Sequence, residues 1–320
     1  MNPLLSYSYQ AEIFCSIDAI CAIVRLSSIS DKKPFPNDRT VFMKKSILIT
    51  GCSTGIGYCV AKALHEKGYH VFATARRPES VQMLLSEGLQ SFHLDLMDSN
   101  SIKLAVEEVM RRTDGQLYAL FNNGAYGLPG AIEDLSRNAL RDQFETNVFG
   151  WQELTNLVLP IMRKQGYGRI IQNSSVLGFV SLPFRGAYNA TKYAVEGLSD
   201  TMRLELKGSN IHISLIEPGP ISSQFRQNAI KMLAKYVDIE KSIHQERYQN
   251  VLKRLNKEGP AVPFTLPPEA VLKRVIHALE SEKPHPRYYV TFPTYLFGIL
   301  KRILSTRALD ALLAKSGNNN

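Results

Sequence analysis

A tyrosine and a lysine at positions i and i+4 of a helix stand on one face, one turn apart. An ammonium so placed can lower the pKa of the phenol and let it exchange a proton near neutrality. The chain offers this pair twice, at Tyr188 and Lys192 in A-Y-N-A-T-K and at Tyr58 and Lys62. Spacing alone therefore selects nothing, and context has to. Ser175, in N-S-S-V-L-G, lies thirteen residues before Tyr188, whereas the position thirteen before Tyr58 is Lys45. A hydroxyl there can hold a carbonyl oxygen while the phenol protonates it. Ser174 is adjacent, but strand alternation sends the two side chains to opposite faces, and the spacing and V-L-G context select Ser175.

A second set of residues could hold a dinucleotide. The run Thr50-Gly51-Cys52-Ser53-Thr54-Gly55-Ile56-Gly57 follows a short apolar segment and leads into a helical pattern. Glycines there permit a tight turn and close approach of backbone to a pyrophosphate, and the helix N-terminus supplies N–H groups and positive potential. In dinucleotide enzymes an acid about 20 residues on, at the end of the second strand, binds the adenosine ribose and selects NAD. That segment reads V-F-A-T-A-R-R-P, with Ala75 at the acid's place and Arg76 and Arg77 after it. A missing carboxylate beside a guanidinium suits a 2′-phosphate, so NADP(H) is the expected cofactor. The blander reading is two arginines solvating a strand end.

These groups must be carried by an ordered scaffold. From Met43 onward, short runs rich in Val, Ile, Leu and aromatics alternate with segments of helical period. Strands are predicted over 45–50, 70–75, 90–94, 117–122, 168–174, 211–216 and 287–291, and helices near 56–68, 79–87, 99–113, 136–163, 188–208 and 267–281. Strands separated by crossover helices imply a parallel, doubly wound sheet in a three-layer α/β/α, Rossmann-like single domain over 43–291. Residues 219–266 exceed an ordinary connection and are expected to form a substrate loop or lid. Residues 292–320 are expected to form a basic amphipathic tail that closes the site or lies on a membrane surface. Residues 1–42 do not resemble the fold that follows; a poorly ordered extension or a mis-assigned start is expected, with Met43 as the natural beginning.

Composition narrows the remaining classes. The net charge of +9 is concentrated late, with eight Lys/Arg against four Asp/Glu over 219–258 and six against one over 283–320. Two solvated surfaces are the bland account; attraction to anionic lipid or an anionic ligand is the sharper one. No nucleic-acid-binding motif accompanies the charge. Cys15, Cys21, Cys52 and Cys59 lack C-x-x-C spacing, and the seven histidines lack metal-binding pairs, so neither a disulfide framework nor a metal site is expected. The apolar stretch Ala11 to Leu26 is broken by Glu12 and Asp18 and no basic residue precedes it, which argues against a secretory or spanning segment. A cytoplasmic protein, peripheral at the inner membrane surface at most, is expected.

Taken together, residues 43 to about 291 resemble the short-chain dehydrogenase/reductase family, in its one-domain branch with T-G-x-x-x-G-x-G. The resemblance implies a catalytic set of Ser175, Tyr188 and Lys192, with Asn147 of E-T-N-V-F-G holding a water in the proton relay. It implies that Lys192 also binds the nicotinamide ribose, and that Asp95 and Leu96 of H-L-D-L meet the adenine. Asn122, Asn123 and Gly124 would lie beside the cofactor, and Pro218, Gly219, Ile221 and Ser223 would form the nicotinamide loop. One departure stands out: the family reads N-N-A-G where this chain reads Asn122-Asn123-Gly124-Ala125, which is expected to shift the loop.

Within the family, R-G-A-Y, S-L-I-E-P-G-P-I and S-E-K-P-x-x-R-Y are most similar to bacterial NADP-dependent aldehyde reductases, and also to retinol and hydroxysteroid dehydrogenases. An apolar aldehyde, ketone or secondary alcohol is the implied substrate, and a homodimer or homotetramer the implied assembly. Two rivals stay open. A non-catalytic NADP-binding sensor would have lost the Ser/Tyr/Lys set, and a nucleotide-sugar epimerase or dehydratase would favour T-G-x-x-G-x-x-G and a longer C-terminal domain.

Overall fold

The computed structural model describes residues 45–260 and 262–318; the N-terminal extension expected over 1–42 lies outside them. Seven strands occur where the apolar runs predict them: β1 (Ser46–Ile49), β2 (His70–Ala75), β3 (Gln90–His93), β4 (Ala119–Asn122), β5 (Gly168–Asn173), β6 (Ile211–Glu217) and β7 (Arg287–Tyr289). All pair in parallel, in the order β3-β2-β1-β4-β5-β6-β7. A sheet of this kind buries both faces, which is why its strands read as continuous apolar runs.

The period of two assigns each side chain to one of two cores. Ile47 and Ile49 of β1 pack with Val71, Phe121 and Ile171 against helix α1 (Gly55–Glu66) through Val60 and Leu64. Leu48, between them, faces the opposite layer with Phe72, Leu120 and Ile170. That layer is built from α3 (Ser99–Arg112), which follows α2 (Pro78–Ser86) in the chain. The segment predicted as one helix over 136–163 is two, α4 (Arg137–Phe144) and α5 (Gly150–Gln165), joined by a π-helical turn over Glu145–Phe149. Such one-residue excesses cluster at functional sites, and this one carries Asn147. Helix α6 (Gly186–Glu205) completes the layer and carries Tyr188 and Lys192.

The long connection after β6 is not an irregular loop. It holds α7 (Phe225–Tyr236) and α8 (Gln245–Asn256), ahead of α9 (Glu269–Glu280). Their buried residues, Ala229 and Leu233 on one and Tyr248, Val251 and Leu255 on the other, have helical spacing that the dense charges between them obscure. Tyr248 is fully buried, and its hydroxyl donates to Asp134 at 2.7 Å and accepts from the Ala131 N–H at 2.9 Å. The tail also folds, as α10 (Phe292–Ile303) and α11 (Thr306–Asn318). Phe297 of α10 and Leu313 of α11 pack with Leu177 and Val180, just after β5.

Consecutive crossovers run one way from β1 to β3 and the other way from β4 to β7. The carboxyl ends of β1 and β4 therefore open a crevice at the point where winding reverses, the position at which doubly wound sheets bind ligands.

Candidate active site

The glycine turn occupies that crevice. Gly51 has φ +70° and Gly55 φ +61°, conformations that disfavour any side chain. At Gly57 a Cβ would stand 2.3 Å from the Gly51 carbonyl oxygen, so only glycine lets helix and turn come this close. The N-terminus of α1 has no side-chain cap from Thr54 and no acid in its first turn. Its N–H groups and positive potential are left for an anionic group.

Hydrogen bonds from β4 brace the turn. The Thr50 hydroxyl accepts from the Asn123 and Gly124 N–H groups, each at 2.8 Å. The Asn123 amide donates to the Thr50 and Gly51 carbonyls at 3.0 and 3.2 Å, and its oxygen accepts from Asn173 at 2.9 Å. The exchanged Gly124-Ala125 order is accommodated here. Gly124 lies against Gly51, Trp151 donates to its carbonyl at 2.7 Å, and Ala125 packs against the second core layer. Asn122 faces away from the crevice, toward Thr155 and the Trp151 carbonyl of α5.

At the carboxyl end of β2, Arg76 and Arg77 are exposed. Arg77 is paired with Glu79 at 3.3 Å, whereas Arg76 has no ion pair or side-chain hydrogen bond among the described residues. Asp95 accepts from the Met97 N–H at 3.0 Å, and Leu96 is buried against α5 at Gly150.

The Ser/Tyr/Lys set converges on one cavity. A cavity of about 920 Å³ is lined by Gly51, Ser53, Thr54, Gly55 and Ile56, by Ser175, Tyr188 and Lys192, and by Pro218, Gly219, Ile221 and Ser223. Ser175 caps a 3-10 turn over Val176–Gly178, its hydroxyl accepting from the Leu177 N–H at 3.1 Å. Ser174 lies against Glu196, yet it lines the same cavity as Ser175, because both follow the last strand residue, Asn173, and strand alternation no longer separates them. The loop after β6 is fixed by a parallel bridge between Ile221 and Leu266.

The electrostatics differ from the simplest reading of a Tyr/Lys pair. Desolvation raises the Tyr188 phenol above the usual tyrosine range, and the Ser175 hydroxyl and Arg185 guanidinium act against that rise. Lys192 is buried, donates to the Asn173 carbonyl at 2.7 Å and lies 4.3 Å from the centre of the Trp151 ring. Burial lowers its ammonium to about 7, with Glu196 opposing. Asn147 is fully buried. Its amide accepts from the Tyr126 N–H at 3.2 Å, donates to the Tyr126 carbonyl at 2.9 Å, and reaches Thr191 of α6 at 3.3 Å.

The second Tyr/Lys pair is on the surface. The Tyr58 hydroxyl donates to Glu87 at 2.6 Å, and Lys62 pairs with the same carboxylate at 3.9 Å.

Sequence reasoning missed two charged groups. Arg287 of β7 ion-pairs with Glu196 and Asp200 of α6 and with fully buried Glu217 of β6, tying the helix that carries Tyr188 and Lys192 to the sheet edge. Arg185, Arg226 and Arg254 line the cavity. No local pattern marks either group, because each is assembled from separate elements.

Comparison with known proteins agrees with this geometry. The family model described as short chain dehydrogenase matches residues 45–234. The chain is 43% identical over 271 residues to the uncharacterized oxidoreductase YbbO of Escherichia coli, covering 85% of this chain and 94% of that protein. It is 30% identical over 277 residues to the NADPH-dependent 3-dehydrocapnine reductase of Ornithobacterium rhinotracheale, covering 84% and 95%. A short-chain dehydrogenase structure from Streptomyces avermitilis superposes with a TM-score of 0.68 at 27% identity, covering 84% of this chain and 95% of that one. With a matching family model, near full-length relatives and the seven-stranded parallel sheet, the chain is an oxidoreductase of the short-chain dehydrogenase family.

Proposed function

We propose that the protein is an NADP(H)-dependent reductase of an apolar aldehyde or ketone, with Tyr188 as proton donor. The observation that carries this reading is the single cavity shared by the glycine turn and by Ser175, Tyr188 and Lys192. A dinucleotide fits the residues present: the turn tolerates no Cβ at Gly57, and the uncapped end of α1 suits a pyrophosphate. When bound, the dinucleotide supplies the hydride. Tyr188 gives its proton to the carbonyl oxygen, and Ser175 holds that oxygen in line. Lys192, anchored by the Asn173 carbonyl and 5.5 Å from the centre of the Tyr188 ring, would hold the ribose with its ammonium. Asn147 fixes the Tyr126 backbone and Thr191, and so positions α6 at the turn that carries Tyr188.

Preference for the 2′-phosphate rests on Arg76, the unpaired guanidinium that follows Ala75, the residue standing where an NAD enzyme carries an acid. The relative named for NADPH and for reduction supports cofactor and direction alike. Measuring NADPH and NADH oxidation with medium-chain aldehydes, retinoids and steroids tests the reading. NADPH-dependent turnover of at least one apolar carbonyl is expected; tight NADPH binding without any turnover would favour a sensor.

The tail adds a surface role. Phe292, Tyr295, Leu296, Ile299 and Ile303 are exposed along one face of α10, with Arg302 flanking it, while Lys301 on the opposite side donates to the Phe179 carbonyl. No described helix is long and apolar enough to cross a membrane. Peripheral contact of this face with anionic lipid, next to a cavity wall that includes Phe292 and Leu296, would deliver apolar substrates from the bilayer. Exposed Phe149, Leu198 and Leu204, on the π turn and α6, favour self-association through these helices.

A further inference from the structure

The cavity wall beyond the catalytic set carries cations without partners. Arg185 precedes α6 by one residue and Tyr188 by one helical turn, and Arg254 comes from the last turn of α8. Both line the cavity, as does Arg226, and no Asp or Glu does. Among the described residues neither the Arg185 nor the Arg254 side chain has a hydrogen bond or ion pair. Arg226 is committed elsewhere: its guanidinium donates to the Lys257 carbonyl at 2.7 Å and to the carbonyls of Arg254 and Gly259, which fixes the backbone from which Arg254 projects.

This arrangement is costly in isolation. Both side chains are half-buried, and a partly desolvated charge without a counter-ion is unfavourable. Arg185 also sits at the N-cap of α6, where the helix's positive end disfavours a cation and favours an anion. Desolvation first, and then the facing Arg254, hold the Arg185 guanidinium below the usual arginine range. Arg254 is depressed likewise, by burial and by Arg226. A bound anion would offset both positive charges and accept from their unpaired N–H groups.

We propose that Arg185 and Arg254 form an anion subsite for the substrate, so that the physiological carbonyl compound is an amphiphile with a carboxylate, sulfonate or phosphate group. The inference rests on the reading of this cavity as the carbonyl site. Phe225, Ala229 and Leu255 line the cavity alongside the arginines, offering apolar surface to the rest of the molecule. The subsite belongs to α6 and α8, whereas the pyrophosphate site belongs to the glycine turn and α1.

The test compares the ω-oxo derivative of decanoic acid with its methyl ester, at saturating NADPH. The acid is expected to have kcat/KM at least about tenfold higher, the effect of a charge-assisted hydrogen bond. The Arg185→Gln/Arg254→Gln double variant is expected to bring the acid-to-ester ratio to about unity, and added salt to lower the ratio in the wild type. Binding of decanoate, decyl sulfate, decyl phosphate and decanol to the NADPH-loaded protein, by calorimetry, needs no turnover and shows which headgroup is held. Anion binding above decanol that the double variant loses supports the subsite even if no carbonyl is reduced, in which case only the reaction assignment fails. Equal acid and ester together with equal anions and decanol in the wild type overturns the proposal. So does a double variant that loses NADPH affinity in step with the anions, since the arginines would then serve the dinucleotide. If the double variant does not fold, Arg254→Lys, which keeps charge but loses the planar fork, is expected to lower the acid-to-ester ratio partway; an unchanged ratio counts against the proposal.

Discussion

Replacing Tyr188 by Phe isolates one hydroxyl. The ring keeps its edge-on contact with Phe225, whose centroid is 5.4 Å away, so packing is retained. The helix is unchanged, and Lys192 keeps its 2.7 Å bond to the Asn173 carbonyl. What is lost is the hydroxyl proposed as proton donor. General-acid catalysis contributes roughly 10²–10⁴-fold, equivalent to about 3–5 kcal/mol of transition-state stabilisation. Steady-state NADPH oxidation with an aldehyde substrate is therefore expected to fall by that factor, while NADPH binding and thermal stability change little. The internal control is Tyr58→Phe, which has the same residue type and spacing to lysine. It removes only a surface hydrogen bond of 2.6 Å to Glu87, so stability is expected to stay within about 0.5 kcal/mol and turnover near wild type. A Tyr188→Phe enzyme retaining a tenth or more of wild-type kcat would refute the reasoning, as would equal losses in both variants.

Four further outcomes are expected. Arg76→Asp should weaken NADPH binding by about 10-fold or more while leaving NADH binding intact, because it removes a charge-assisted phosphate contact and adds repulsion; unchanged NADPH affinity would reduce Arg76 to a solvated strand end. Lys192 is depressed to about 7 by burial while an unfolded lysine titrates near 10.4, so the unfolded chain binds more protons between those values. The wild type should therefore gain stability relative to Lys192→Met as pH rises through that window, which urea unfolding at several pH values would reveal; a loss would reverse the assignment. Arg287→Met should destabilise by about 3–5 kcal/mol at alkaline pH, since it strands the buried carboxylates Glu217 and Glu196. Desolvation and Glu196 push Glu217 up to about 8 even with Arg287 opposing, so without the guanidinium the carboxyl protonates at still higher pH and the deficit should shrink as pH falls toward about 8; a deficit independent of pH would point to packing instead. Finally, Ile299→Asp/Ile303→Asp should abolish co-flotation with anionic lipid vesicles, and persistent flotation would remove α10 from that role.

Much of the scaffold is local information. The inner strands were legible because a sheet buried on both faces demands short apolar runs, whereas the half-buried edge strands β3 and β7 carry polar residues and were placed by the alternation around them. The glycine turn was legible because no other residue fits at Gly57, beside the Gly51 carbonyl. Helices α7 and α8 were not recognised, although Tyr248, Val251 and Leu255 keep a helical period, because charges dominate the composition between them. The break in the 136–163 helix was also hidden, since a π turn adds one residue without changing propensity.

The Tyr/Lys spacing illustrates the division. Sequence by itself determined which residues could do the chemistry and, through Ser175, which of two identical spacings to prefer. Only the tertiary structure decided what surrounds them. It placed Tyr188 in a cavity and Tyr58 on the surface, turned Asn122 away from the crevice and Asn123 toward it, and brought Arg185 and Arg254 to the wall of one cavity. Desolvation and Coulombic coupling depend on what lies across a gap of a few ångströms, and residues that meet there come from elements far apart in the chain.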